Sequence, residues 1–261
     1  MQFNILGSLQ IGSPEQPVQI TAPKQRAVLA ALLLANNTDV STDQLIQHTW
    51  DHHPPTTAQT TLQSYIYRLR QLLRPLPNTT LHTNTDSYAL HTDAEDIDLH
   101  HFRKLAEQAR SDNHHGRHQH ATEHLRLALK LWRGNALTGI PGTTTAQEAT
   151  IINNERTAAY EELFDTEITL GNTRHIIPEL TKLTTTHPYH ETFRAQLILA
   201  LYASGRQAEA LQHYALIRRR LRDNLGIEPG PELQQLHRHI LEHRPPTNIA
   251  VANARYDAAV A

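Results

Sequence analysis

The apolar positions at the start of the chain alternate. Phe3, Ile5, Leu9, Ile11, Val18 and Ile20 carry the pattern, and Gly7-Ser8 and the stretch from Gly12 to Pro17 punctuate it, which predicts short β-strands joined by turns. At Pro23 the period changes. Proline suits the first turn of a helix, and Val28, Leu29, Leu32 and Leu33 follow at helical spacing. Ser41 to Trp50 reads as a second, shorter helix, with Ser41 or Thr42 as its cap and Leu45, Ile46 and Trp50 on one face. Asp51-His-His-Pro-Pro55 breaks the pattern. Thr56 to Arg74 is a third helix with Leu62, Tyr65, Ile66, Leu69, Leu72 and Leu73 as its apolar stripe, ended by Pro75 and Pro77. Thr79 to His91 reads as a hairpin, with Leu81 and Thr83 on one arm, Tyr88 and Leu90 on the other, and Asn84-Thr-Asp-Ser87 at the tip. Strands, two helices, a longer helix and a hairpin make the order of a winged helix-turn-helix with an N-terminal sheet.

After Asp93-Ala-Glu-Asp96 every periodic segment is helical. The expected helices cover about 98–112, 117–132, 146–170, 173–186, 190–204, 207–223 and 231–243, with loops marked by Gly116, Gly134 to Gly142, Gly171-Asn172, His187-Pro188, Gly205 and Gly226 to Pro231. The pair 190–204/207–223 carries Leu199-Ala-Leu-Tyr202 before Gly205, then Ala208, Ala210, Leu211 and Tyr214, which is close to a tetratricopeptide unit. The expected fold is therefore mainly α with a small β component. A winged helix-turn-helix over 1–93 precedes an all-α, tetratricopeptide-like domain over 94–243. From Arg244 onward, Pro-Pro and small residues without apolar period predict a disordered tail over 244–261.

Composition narrows the function classes. With no cysteine there is no disulfide, thiolate nucleophile or zinc–thiolate site. No run approaches the length of a membrane span, and the N-terminus lacks the basic start and apolar run of a signal peptide, so the expectation is a cytoplasmic chain. The net charge of −2 argues against a non-specific polyanion binder, yet the third helix departs from it: 56–74 holds three arginines and no acidic residue. Its outward positions include Gln59, Thr60, Gln63, Ser64, Tyr67, Arg68, Gln71 and Arg74, with Thr61 and Arg70 beside the stripe. Arginine can take guanine bidentately, glutamine can take adenine, and threonine can meet a thymine methyl or a phosphate. A helix in this position of a winged helix usually enters the major groove.

These segments resemble a known family. Phe3-Asn-Ile-Leu-Gly-Ser-Leu9, Pro23-Lys-Gln-Arg-Ala-Val-Leu-Ala-Ala-Leu-Leu-Leu34, Thr61-Leu-Gln-Ser-Tyr-Ile-Tyr-Arg-Leu-Arg70, Leu129-Lys-Leu-Trp-Arg-Gly134, Leu201-Tyr-Ala-Ser-Gly-Arg-Gln-Ala-Glu-Ala-Leu211 and Leu225-Gly-Ile-Glu-Pro-Gly-Pro-Glu-Leu233 are similar to the Streptomyces antibiotic regulatory protein (SARP) family, over about 1–243. The resemblance implies an OmpR-type winged helix followed by a bacterial transcriptional activation domain. It implies a pathway-specific activator that binds direct repeats in double-stranded DNA near promoters of secondary-metabolite clusters, as a homodimer on DNA, and recruits RNA polymerase holoenzyme through its sigma factor. Base and phosphate contacts would come from Thr61, Gln63, Ser64, Tyr67 and Arg68, and backbone contacts from Arg70 and Arg74. Asn84 stands where the wing tip usually offers arginine, Ser87 where glycine usually precedes tyrosine, and Gln59-Thr60 where relatives tend to have a basic pair. The loop from Asp51 to Thr57, with His52, His53, Thr56 and Thr57, matches the polymerase contact of similar proteins. Larger relatives add an ATPase module; no phosphate-binding Gly-x-x-x-x-Gly-Lys loop occurs in these 261 residues, so the expectation is a chain of the two shared domains without nucleotide hydrolysis.

Other features carry less. Histidine is abundant, at 19 residues, and full protonation would move the charge from −2 to +17. His114, His115, His118, His120 and His124 include pairs at i, i+4, but the stretch between Asn113 and Thr122 holds no acid to complete a metal site, so no metal or other cofactor is expected. His48, His52, His53, His82 and His91 could make DNA affinity depend on pH. Glu161, Glu162, Asp165 and Glu167 are expected to form a solvated helix face, not a catalytic pair. Arg218-Arg-Arg220 with Arg222 reads as a solvated basic face, and Trp50 and Trp132 read as core anchors. No nucleophile motif appears, so no enzyme is expected. The rival reading is a helical-repeat signalling adaptor whose winged helix is a protein-interaction module.

Overall fold

The computed structural model describes residues 2–12, 18 and 20–246. The expected turn through Pro17 and the tail beyond Pro246 lie outside the described residues. Strands β1 (Phe3–Asn4) and β2 (Gln10–Ile11) pair antiparallel, with Phe3 opposite Ile11. Helix α1 (Pro23–Leu34), strand β3 (Val40–Ser41), helix α2 (Thr42–Trp50) and helix α3 (Ala58–Leu73) follow. Strands β4 (Thr80–Thr83) and β5 (Ser87–His91) form the hairpin, and the sheet order is β3-β5-β4, antiparallel throughout. Then come α4 (Asp98–His114), α5 (His118–Lys130), α6 (Thr143–Thr169), α7 (Thr173–Thr186), α8 (Glu191–Ala203), α9 (Gln207–Leu225) and α10 (Pro231–Leu241).

The chain divides into two compact units that do not follow chain order. Residues 1–108 and 126–158 form the first, and 109–125 and 159–261 the second. In the first, α1 is apolar on nearly every side because it packs against α2, α3 and β5; Ala27 to Leu33 are all buried. Ser41 and Gln44 make a reciprocal capping box that starts α2, which is why the chain turns from β3 directly into a helix. Along α3, Leu62, Ile66, Leu69 and Leu73 are buried at helical spacing; each contributes about 1.5–3 kcal/mol of burial. Leu81, Tyr88 and Leu90 fill the inner face of the hairpin.

The start of α4 ties down the N-terminal ribbon. Asp98, only 1% exposed, accepts the Ile5 and Leu6 N–H groups at 2.7 and 3.0 Å, and the Arg133 guanidinium lies 3.4 Å away. Burial raises its carboxyl above the usual aspartate range, while the two N–H donors and Arg133 pull the other way. Residues 133–138 then run beside 5–7 through three backbone bonds, from Arg133, Leu137 and Thr138 to Leu6, Ile5 and Gly7. Trp132 is buried, as expected of a core anchor. Its ring meets Phe102 edge-on at 5.3 Å and carries the Arg156 guanidinium over its face at 5.0 Å. Trp50 is half-buried and stacks on Tyr65.

In the second unit α8 is the central helix, packed by α7, α9 and α10, and Phe193 to Leu201 are buried without a break. A left-handed Gly226 (φ 70°) ends α9, with Gly226 and Ile227 N–H returning to Arg222 and Leu221, and Pro231 begins α10. Glu191 accepts the Gly230 N–H at 2.6 Å and so holds that connection against the start of α8. The carboxylates of α6 correct one expectation: they do not form a solvated face. Asp165 and Glu167 are buried and take amide donors from Gln196 (2.7 Å) and Asn172 (2.8 Å), while Glu161 faces His190 and Glu162 faces Arg110. Helical spacing alone could not separate outward carboxylates from ones that satisfy amides inside a helical stack.

Candidate nucleic-acid interface

Helix α3 presents a continuous outward face. Gln59, Thr60, Gln63, Ser64, Tyr67, Arg68, Arg70, Gln71 and Arg74 are exposed, and Thr61 is partly so. Tyr67 is 63% exposed, the highest value among the exposed large apolar side chains described. Most of the ring is open to solvent, where an external surface can meet it. The face is also acid-free, because 56–74 contains neither Asp nor Glu. Ser64 Oγ turns back to Thr60 O at 3.1 Å, a bond that a better acceptor can replace.

Arg70 is placed differently from Arg68 and Arg74. Its Nε donates to Leu81 O at 2.9 Å and its Nη2 to Thr83 Oγ1 at 2.5 Å, so it clasps strand β4. The sequence marked Arg70 as flanking the stripe, but nothing in the spacing showed that the hairpin would claim it. Asn84 closes the hairpin tip through its N–H to Ser87 O at 2.9 Å, and its side-chain amide donates to Asp39 at 2.7 Å. Asp39 lies ahead of β3 and had no signal of its own in the sequence. Of the other two cations in 1–95, Lys24 donates to Thr49 O and Arg26 has a buried Nε without a hydrogen-bond partner.

The loop between α2 and α3 is fully solvated at the positions of interest: His52, His53, Thr56 and Thr57 are all exposed. Its two ends are fixed. His53 N–H returns to Trp50 O at 3.1 Å and Ala58 N–H to Pro55 O at 2.9 Å. Asp51, at the head of the loop, accepts the Thr143 N–H at 2.8 Å. His48 is partly buried just before it; burial lowers its pKa, against the raising influence of Glu148 and Asp51. Sequence reasoning missed Asp51, because its partner is 92 residues away.

The remaining motifs have structural partners. His124 donates to Asp112 at 2.9 Å, and Arg117, the leading cause, holds the Asp112 carboxyl below its usual range. His118 pairs with Asn113 and His115 with Ser111 O. Among the described residues no group of three or more His, Asp or Glu side chains is placed to hold a metal ion. In the basic run of α9, Arg218 pairs with Glu228 and Arg222 with Asp223. No helix among the described residues is long and apolar enough to cross a membrane.

Comparison with known proteins agrees with this architecture. Residues 15–87 match the C-terminal domain of transcriptional regulatory proteins, and 97–241 match the bacterial transcriptional activator domain. The regulatory protein DnrI of Streptomyces peucetius is 34% identical over 254 residues, which cover 94% of this chain and 93% of DnrI. The regulatory protein AfsR of Streptomyces coelicolor is 37% identical over 94% of this chain, but the chain spans only 24% of AfsR. A solved structure of Mycobacterium tuberculosis EmbR in complex with a low affinity phosphopeptide superposes with a TM-score of 0.91 at 33% identity, covering 99% of this chain and 70% of that one. The chain therefore belongs to the SARP family of transcriptional regulators.

Proposed function

We propose that the protein is a cytoplasmic, non-enzymatic activator that binds tandem DNA sites through α3 and the β4–β5 hairpin and recruits RNA polymerase. The observation that carries this reading is the outward face of α3: exposed, free of acid, and furnished with Gln63, Ser64, Tyr67, Arg68 and Arg74 around a half-exposed Thr61. In this reading Gln63 and Arg68 take base edges, Arg74 takes phosphate, and Tyr67 packs against sugar or thymine methyl. Arg70 acts first as the brace of the hairpin, and Asn84 positions the hairpin tip. His52, His53, Thr56 and Thr57 form the polymerase-facing loop, and the helical region serves dimerisation and the sigma-factor contact. Two copies on direct repeats stand head to tail, with half-sites about one helical turn apart so that both α3 helices meet the same side of the duplex. By its membership of the SARP family, the target in this reading is a secondary-metabolite gene cluster.

The test is a gel shift and footprint on the promoters of the adjoining gene cluster, followed by transcription with reconstituted polymerase. Protection of a tandem repeat and stimulated transcription support the reading. Failure to bind any such fragment at low salt favours a protein-interaction adaptor. Arg68→Ala should weaken specific binding by about 1–3 kcal/mol and relax preference at one base pair. Uniform weakening on all sequences would instead make Arg68 a phosphate contact.

A further inference from the structure

The turn that leaves α2 holds an aspartate where the backbone favours glycine. Asp51 has φ 53° and ψ −127°, and His53 N–H closes on Trp50 O at 3.1 Å. These are the marks of the first central position of a type II′ turn, which glycine normally occupies because a Cβ is strained there. Such strain persists where the surroundings over-determine it. Here the surroundings are the start of α6. The Asp51 carboxylate accepts the N–H of Thr143, the first residue of that 27-residue helix, at 2.8 Å. A negative charge at this end meets unpaired N–H groups and the positive end of the helix dipole. Gly142 (φ 121°) lies so close to the last turn of α2 that a Cβ would stand 3.0 Å from His48 O. Asp51 also closes α2, its own N–H donating to Gln47 O at 2.8 Å. One residue thus ends α2, opens the loop to α3 and caps α6.

We propose that Asp51 is a positioning residue that couples the α2–α3 loop to α6, so that the seating of α6 sets how His52, His53, Thr56 and Thr57 are presented. The functional half of this inference rests on the polymerase-facing reading of that loop. The coupling half rests on the geometry alone.

Two variants separate the carboxylate from the backbone. Asp51→Gly suits the turn better than the native residue and removes only the cap. Asp51→Asn tolerates positive φ and keeps an oxygen that can accept the Thr143 N–H. Hydrogen exchange on the full chain should show the amides of Thr143, Ala146 and, at the far end of the loop, Ala58 exchanging about threefold to thirtyfold faster in Asp51→Gly, the range that loss of a helix cap gives. Asp51→Asn should stay near wild type. DNA affinity should be unchanged in both, while polymerase-dependent transcription falls in Asp51→Gly and returns in Asp51→Asn. Unchanged exchange in Asp51→Gly, or equal loosening in both variants, overturns the coupling. Loosened exchange with full transcription supports the coupling and overturns the polymerase reading of the loop. Loss of DNA binding in Asp51→Gly overturns the assignment of this loop to polymerase and places it in the DNA interface.

Discussion

Arg70 shows how a cation on an outward helix can be claimed by its own fold. Two of its three nitrogens hold Leu81 O and Thr83 Oγ1, so removing it loosens the hairpin before it touches DNA. Arg70→Ala is expected to raise hydrogen exchange across 80–83 and to lower DNA affinity while leaving the salt dependence of binding nearly unchanged. A salt slope shallower by about one would instead make Arg70 a phosphate contact. Asp98 is the converse case, a buried carboxylate whose work is internal. Asp98→Ala leaves the Ile5 and Leu6 N–H groups without their acceptor inside the protein, which should destabilise the chain by roughly 2–4 kcal/mol in urea unfolding. Asp98→Asn keeps one acceptor oxygen and should lose less. Equal losses in the two variants would mean that charge, not hydrogen bonding, is what Asp98 supplies.

Helix α3 is the element on which DNA binding turns, and it has few cations to offer. Residues 1–95 carry five Lys or Arg against seven Asp or Glu. Of the five, Lys24 turns to Thr49, Arg70 to the hairpin, and Arg26 is only partly exposed with a buried Nε, which leaves Arg68 and Arg74 as the outward pair on α3. The salt slope of specific binding should accordingly be shallow, roughly −2 to −3 per protomer. A slope as steep as that of a strongly basic winged helix would show that phosphate contacts come from elsewhere in the chain. The helices themselves were legible in the sequence because their signals are local: Pro23 and Pro231 at first turns, Ser41 three residues before Gln44, the Leu62-Ile66-Leu69-Leu73 stripe, and Gly226 at a C-terminus. The outward residues of α3 followed from the same stripe by subtraction. What stayed hidden was long-range. Asp51 with Thr143, Asn84 with Asp39, and the buried amide partners of Asp165 and Glu167 join residues whose separation erases any periodic signal.

At the scale of the whole molecule, the histidine content becomes a statement about acid. Nineteen histidines are present, and four of them, His48, His100, His213 and His237, have pKa values below 6.5 in the folded chain, with burial the leading cause in each. A group whose folded pKa is depressed stabilises the fold fully above its unfolded pKa, and that stability is lost as pH falls from 6.5 toward the folded value. The geometry at His213 explains why. Arg194 is only 3% exposed, its Nη2 is held by Thr184 O, and its Nη1 lies 3.0 Å from His213 Nδ1. That nitrogen must be unprotonated to accept, and protonation would set an imidazolium against a buried guanidinium. Burial, with Arg220 nearby, already pulls Arg194 down to about 10. The groups that bear on His213 do not balance, because Glu209 alone opposes Arg194 and Arg206. Asp98, with its raised pKa, works the other way: it adds stability as pH falls through its raised folded value toward 3.8. Thermal unfolding should therefore show a Tm that holds above about pH 7 and declines toward about pH 5.5. His213→Asn places an amide oxygen near the position of Nδ1 and cannot gain a proton, so it should flatten part of that decline. An unchanged pH profile in His213→Asn would show that the acid sensitivity resides in His48, His100 and His237, and that the Arg194–His213 contact tolerates protonation.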